Sequence, residues 1–111
     1  MKKAHEQNPL VRDFLILAYL KKFSNDWKNK NEIAHHYGSH GLHRGRLDRI
    51  LDNFIVKGFI EKKEADNPQA KWEYKITDTG ISFVKKTADY FKDPIAGLMV
   101  GIPKDFDFDV I

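Results

Sequence analysis

The chain has no cysteine, which removes a disulfide framework and a thiol nucleophile from consideration. Apolar runs are short. The densest, "FLILAYL", falls well below the ~18 residues of a membrane span and lies inside an amphipathic pattern. The amino-terminal MKKAHEQNP is basic but lacks a secretory cleavage pattern, so a cytoplasmic protein is expected. No internal repeat, low-complexity segment or glycine-rich phosphate loop is present, and Ser24, Ser39 and Ser82 have neither a base arrangement nor an oxyanion loop around them. These absences point away from an enzyme and call for no cofactor.

What is present suits one modest domain: 111 residues, 41% hydrophobic and 32% charged, an ordinary globular balance. The net charge of +3 is unevenly spread. Residues 93–111 hold Lys104 against Asp93, Asp105, Asp107 and Asp109, a balance of −3, which leaves 18 basic and 12 acidic residues, or +6, on residues 1–92. A basic body with an acidic tail favours an anionic partner for the body. Residues 1–92 are accordingly expected to be the domain, and 93–111 an acidic, apolar tail packing on it or on a partner.

Asn8 and Pro9 have the order of an N-cap and first helical residue, and Leu10 to Phe23 is apolar on more than one stripe. "SNDWKNKN" (24–31) reads as a polar connection. Asn29 and Glu32 stand at capping-box spacing before a short helix, "NEIAHHY", that stops at Gly38. A glycine turn, "GSHG", leads into a helix over 42–57. There Leu47, Ile50, Leu51, Phe54 and Ile55 form a helical stripe, with Gly58 placed for a left-handed C′ position. "FIEKKEA" and "KWEYKIT" read as two strands around Asp66-Asn67-Pro68-Gln69, with Trp72, Tyr74 and Ile76 on one face. Thr77 opens a helix over 78–92 carrying Ile81, Val84, Ala88 and Phe91 on one line and Phe83, Thr87 and Tyr90 on a second, ended by Asp93-Pro94. The expected fold is mainly α with a small β-hairpin, in the order α-α-α-β-β-α, a winged helix-turn-helix.

Three blocks in this order resemble winged-helix DNA-binding domains, most nearly those of archaeal regulators and chromatin proteins: "NEIAHHYG" with "GLHRGRLDRIL", then "LDNFIVKGFIE", then "YKITDTGISFV". The last is similar to the pattern Y-x-[IL]-T-x-x-G-x-x-[FL], where the second wing strand enters the final helix. The likeness covers roughly residues 10–92. This chain departs from it in having His43 where a Ser or Thr cap is usual, Gly45 inside the recognition helix, and a wing tip, "ADNPQAK", without arginine. The resemblance implies duplex DNA binding, usually as a homodimer, for transcription regulation or DNA organisation on the nucleoid.

Within that architecture the recognition helix enters the major groove by its start, where Arg44, Arg46 and Arg49 meet guanine edges or phosphates. Ser39, His40 and His43 at the turn fall to phosphate contact, and histidine titration predicts stronger binding on mild acidification. Lys62, Lys63 and Lys71 flank the wing for backbone phosphates. The alternative for the arginines is a solvated face paired with Asp48 and Asp52 at i,i+4 spacing. His35, His36, His40 and His43 do not make a metal site, because Gly38 and the turn keep His36 and His40 off one helix face. Trp72 and Tyr74 read as core. The rival function is a winged-helix protein-interaction module without DNA contact, which leaves three guanidiniums unexplained. The surplus apolar surface of helices 10–23 and 78–92 predicts a homodimer through them, unless the tail covers it with Ile95, Leu98, Met99 and Val100.

Overall fold

A computed structural model describes residues 9–36, 44–66, 70–93 and 95. The elements are α1 (Pro9–Lys22), β1 (Lys28–Asn29), α2 (Lys30–His36), α3 (Arg44–Val56), β2 (Ile60–Glu64), β3 (Trp72–Ile76) and α4 (Asp78–Lys92). The expected helices and strands are present, the ends moving by one or two residues as fraying ends do. Asn8, the glycine turn, Asn67-Pro68-Gln69 and the tail beyond Ile95 lie outside the described residues.

One element was missed. The supposed polar connection 24–31 contains β1, whose Lys28 and Asn29 pair antiparallel with Tyr74 and Glu73. The sheet is therefore three-stranded, in the order β1-β3-β2, and β3 becomes central, covered on its second edge at Glu73 and Tyr74. Two residues are too few to show a strand period. The capping box beside it forms as the spacing predicts. Asn29 N–H donates to Glu32 Oε1 at 3.1 Å, and Glu32 N–H donates to Asn29 Oδ1 at 2.8 Å.

The core gathers one face from each longer element. Leu47, Ile50, Leu51 and Phe54 of α3 meet Ile60, Tyr74 and Ile76 of the sheet and Val84, Ala88 and Phe91 of α4. Through them runs α1, with Val11, Phe14, Leu15, Ile16, Leu17, Ala18 and Leu20 all buried. An apolar helix of this kind occupies the interior. Phe14 meets Phe91 edge-on, centroids 5.0 Å apart, a geometry worth about 0.5–1.5 kcal/mol beyond burial.

This burial revises the expected surplus surface. Of the second line on α4, Thr87 is only 8% exposed and Phe83 stacks on Phe59 at 4.7 Å. Tyr90 alone stays open, at 54%. On α1 only Leu10, at 39%, is an exposed large apolar residue. Most of the apolar surface of α1 is thus covered by its own domain.

The corner joining α3, the sheet and α4 is closely tied. Gly58, at φ 78°, ends α3 in a Schellman arrangement. Phe59 N–H donates to Phe54 O at 2.9 Å and Gly58 N–H to Ile55 O at 3.0 Å, with the Phe54 and Phe59 rings in contact. From the other side, Thr77 N–H donates to Phe59 O at 2.9 Å. The Thr77 hydroxyl donates to Gly58 O and accepts from Gly80 N–H at 3.1 Å, capping α4. Gly80 packs so closely that a Cβ there would lie 2.2 Å from Phe59 O and 2.7 Å from Ile76 Cγ1. Gly80→Ala is therefore expected to destabilise the fold by about 1–3 kcal/mol, despite alanine's better helix propensity. A denaturant titration giving Gly80→Ala wild-type stability would show that this corner is loose.

Candidate nucleic-acid interface

The face of α3 away from the core is set by the helical repeat. With Leu47, Ile50, Leu51 and Phe54 buried, the opposite side presents Arg49, Asp52 and Val56, all exposed. The charges on either shoulder of that face differ in sign. Arg46 and Asn53 lie toward α1, where they share a shallow hollow with Arg49, Ile50, Arg12 and Asp13. Asp48 and Asp52 lie toward the sheet.

Neither Asp48 nor Asp52 pairs with Arg46 or Arg49, the two α3 arginines whose side chains are described. Asp48 is instead held by Lys30 of α2, whose Nζ lies 3.1 Å from its carboxylate oxygens. Arg46 and Arg49 are exposed and form no ion pair with any described residue. Arg12 is engaged locally, donating to Asp13 Oδ1 at 3.1 and 3.2 Å. Arg44 opens α3, but its side chain lies outside the described residues, as do Ser39, His40 and His43. His35 is exposed on α2. Among the described residues no group of three His, Asp or Glu is arranged to hold a metal.

The wing lysines are separated by strand alternation. Lys62 pairs with Tyr74 and Lys63 with Glu73, so their side chains leave opposite faces of the sheet. Lys62 lies over the Trp72 ring at 4.3 Å. With Lys71, Lys30, Asp48 and Asp52 it lines a groove of about 510 Å³ between α3 and the sheet. Lys63 lies on the outer face, 3.9 Å from the Glu73 carboxylate and over the Trp27 ring at 4.9 Å. The structure thus brings Lys62 and Lys71 to the α3 side and takes Lys63 away from it. Trp72 is half-buried and Tyr74 buried, packing with the core as read. Lys30 and Trp27 escaped the sequence reading because their contacts are long-range. The Lys30–Asp48 pair spans 18 positions, and no local pattern signals it.

This arrangement is a winged helix-turn-helix fold: two helices feed the exposed α3, and the β2–β3 hairpin stands beside it. No family model matches the chain, and no curated protein matches it. Solved structures share its fold. The reduced form of MarR from E. coli is similar over 85% of this chain at 18% identity and a TM-score of 0.63. A PadR-like transcriptional regulator from Bacillus cereus is similar over 87% of this chain and 94% of its own length, at 17% identity and a TM-score of 0.65. A mutant MarR from E. coli complexed with operator DNA is similar over 85% of this chain, at 15% identity and a TM-score of 0.63. The chain spans 66% of the reduced MarR chain and 64% of the operator-bound one. These named neighbours are bacterial, and they add no support to the archaeal leaning of the sequence resemblance.

The groove's electrostatics act on one buried group. Burial, aided by the charges of Asp48 and Asp52, holds the Tyr74 phenol above its ordinary value of 10.0. The folded protein therefore keeps a proton that the unfolded chain releases. The corresponding stability is complete below about pH 10 and is lost as pH rises through the folded value. Alkaline titration by ultraviolet difference absorbance, with Tyr74→Phe to assign the signal, should place Tyr74 above ordinary tyrosine. Asp48→Asn and Asp52→Asn should each lower its value. A Tyr74 titrating at the ordinary value would overturn the burial of its phenol, and a value unmoved by both substitutions would remove the carboxylates from its surroundings.

Proposed function

We propose that this chain is a non-enzymatic double-stranded DNA-binding protein that regulates transcription or organises DNA. In this reading α3 enters the major groove by its start and the β2–β3 hairpin lies along the backbone or in the minor groove. The observation that carries it is the state of the α3 charges. Arg46 and Arg49 stand exposed without an ion pair among the described residues, while Asp48 of the same helix is occupied by Lys30. Guanidiniums left uncommitted on that helix are placed for guanine O6 and N7 or for phosphates. The shared fold of operator-bound MarR supports the same reading. A protein-interaction module has no use for this arrangement.

Arg46 and Arg49 are assigned to the duplex, with Arg44, Ser39, His40 and His43 at the entry to the helix. Lys62 and Lys71 are assigned to phosphates from the groove side. Lys63, turned outward and facing Glu73, has the smaller part. No helix among the described residues is long and apolar enough to cross a membrane, and the proposed location is the cytoplasm, on the nucleoid.

The test is a titration of duplex against salt. With ~4–6 phosphate contacts, log affinity falls with log salt at a slope of about −4 to −5. Arg46→Ala costs about 1–3 kcal/mol at a read base and relaxes sequence preference there. Absence of duplex binding at about 50 mM salt, or indifference to a fourfold increase, overturns the reading.

We also propose a two-fold homodimer, because paired recognition helices match successive major grooves about 34 Å apart. The contact is narrower than the sequence predicted. It centres on the groups still exposed on α1 and around the end of α4: Leu10, Tyr90 and Ile95. Sedimentation at micromolar concentration should give twice 13.0 kDa, reduced toward one copy by Tyr90→Glu. A single species of 13.0 kDa for the unaltered chain overturns the dimer.

A further inference from the structure

The two carboxylates on α3 stand four residues apart, one turn of the same helix, and the fold treats them differently. Asp48 is half-buried, and Lys30 Nζ lies 3.1 Å from both of its oxygens. Its charge is matched inside the protein. Asp52 is exposed and takes no hydrogen bond or ion pair from any described residue. It shares the outward face with Arg49, three residues before it, and Val56, four after.

An unmatched carboxylate is an odd occupant of that face if the duplex reading on which this inference rests is correct. Duplex DNA carries one negative charge per about 1.7 Å of axis, so both walls of the major groove repel it. Most base edges repel it too. Guanine presents two acceptors there, thymine an acceptor and a methyl group, and adenine an acceptor beside its amine. Cytosine alone offers a donor, its N4 amine, with no acceptor next to it. We propose that Asp52 is a specificity-determining residue. Its carboxylate accepts a hydrogen bond from the N4 amine of a cytosine in the major groove and disfavours every other base at that position. Arg49 presents the complementary donors for guanine O6 and N7, so the exposed face of α3 carries one group for each partner of a G·C pair. Asp48 has no such role, since Lys30 already occupies it.

The experiment selects bound duplexes from a random pool with the wild-type chain, Asp52→Ala and Asp52→Asn. Wild type should enrich a cytosine at one position. Asp52→Ala should lose that enrichment while keeping the other positions, and Asp52→Asn should move it toward adenine, which an amide can meet at N6 and N7. The selected duplex is then remade with that cytosine replaced by 2-pyrimidinone, which lacks the amine. The replacement should weaken wild type about tenfold and Asp52→Ala less than about twofold, the scale of one base-edge contact. If Asp52→Ala binds more tightly but keeps the wild-type preference at every position, Asp52 is only a repelling charge and the assignment is overturned. A wild-type chain that binds no duplex at about 50 mM salt overturns the duplex reading itself, a result distinct from an unchanged preference. Asp52→Asn preserves side-chain size at an exposed site, so its shift toward adenine is read on a folded protein, with a thermal melt matching wild type.

Discussion

The carbonyl of Phe59 is the point at which the architecture is pinned. It accepts from Thr77 N–H and lies where only a glycine at position 80 can approach it. The Thr77 hydroxyl closes the loop by donating to Gly58 O and capping α4 through Gly80. Three chain directions thus meet at one place: the end of α3, the entry to β2 and the start of α4. Fixing that place fixes where the hairpin stands relative to α3, and therefore the width of the groove between them. Each bond contributes little alone, a cap being worth about 1 kcal/mol. Together they tie the root of the hairpin to both helices.

From that corner the charge arrangement follows. The hairpin brings Lys62 and Lys71 to the sheet-side shoulder of α3, opposite Asp48 and Asp52, and α2 brings Lys30 to Asp48. On the other shoulder, toward α1, Arg46 and Arg49 form no ion pair with any described residue, and the nearby Asp13 is engaged by Arg12. On this helix Asp48 is neutralised by the fold itself, while Arg46 and Arg49 are not, so the charge of its exposed face is directional. Counting charges along the helix, three arginines against two aspartates, does not show which of them are matched.

Much of the fold was legible because its signals are local. The Asn29–Glu32 box, the left-handed Gly58, the Thr77 cap and the alternation of Trp72, Tyr74 and Ile76 each depend on a few neighbouring residues, and each forms in the structure. β1 was not legible, since two residues carry no period and their pairing partner lies more than forty positions away. The apolar excess of α1 was read correctly as composition, but most of it is covered within its own domain. Periodicity reports how much of a helix is covered, but not whether its own chain or another one covers it.

Residue spacing and backbone preference were enough to set the four helices and the β2–β3 pair in their order, the caps at Asn29, Gly58 and Thr77, and the cluster of arginines at the start of α3. Which of the charges remain available was settled by folding. Tertiary contacts committed Asp48 to Lys30 and turned Lys63 outward toward Glu73 while Lys62 faced the groove. They also buried Thr87 and packed Phe83 against Phe59. Those outcomes depend on distances between residues far apart in the chain. A side chain's charge is written in its identity, but whether that charge is neutralised depends on what folding brings within a few ångströms of it.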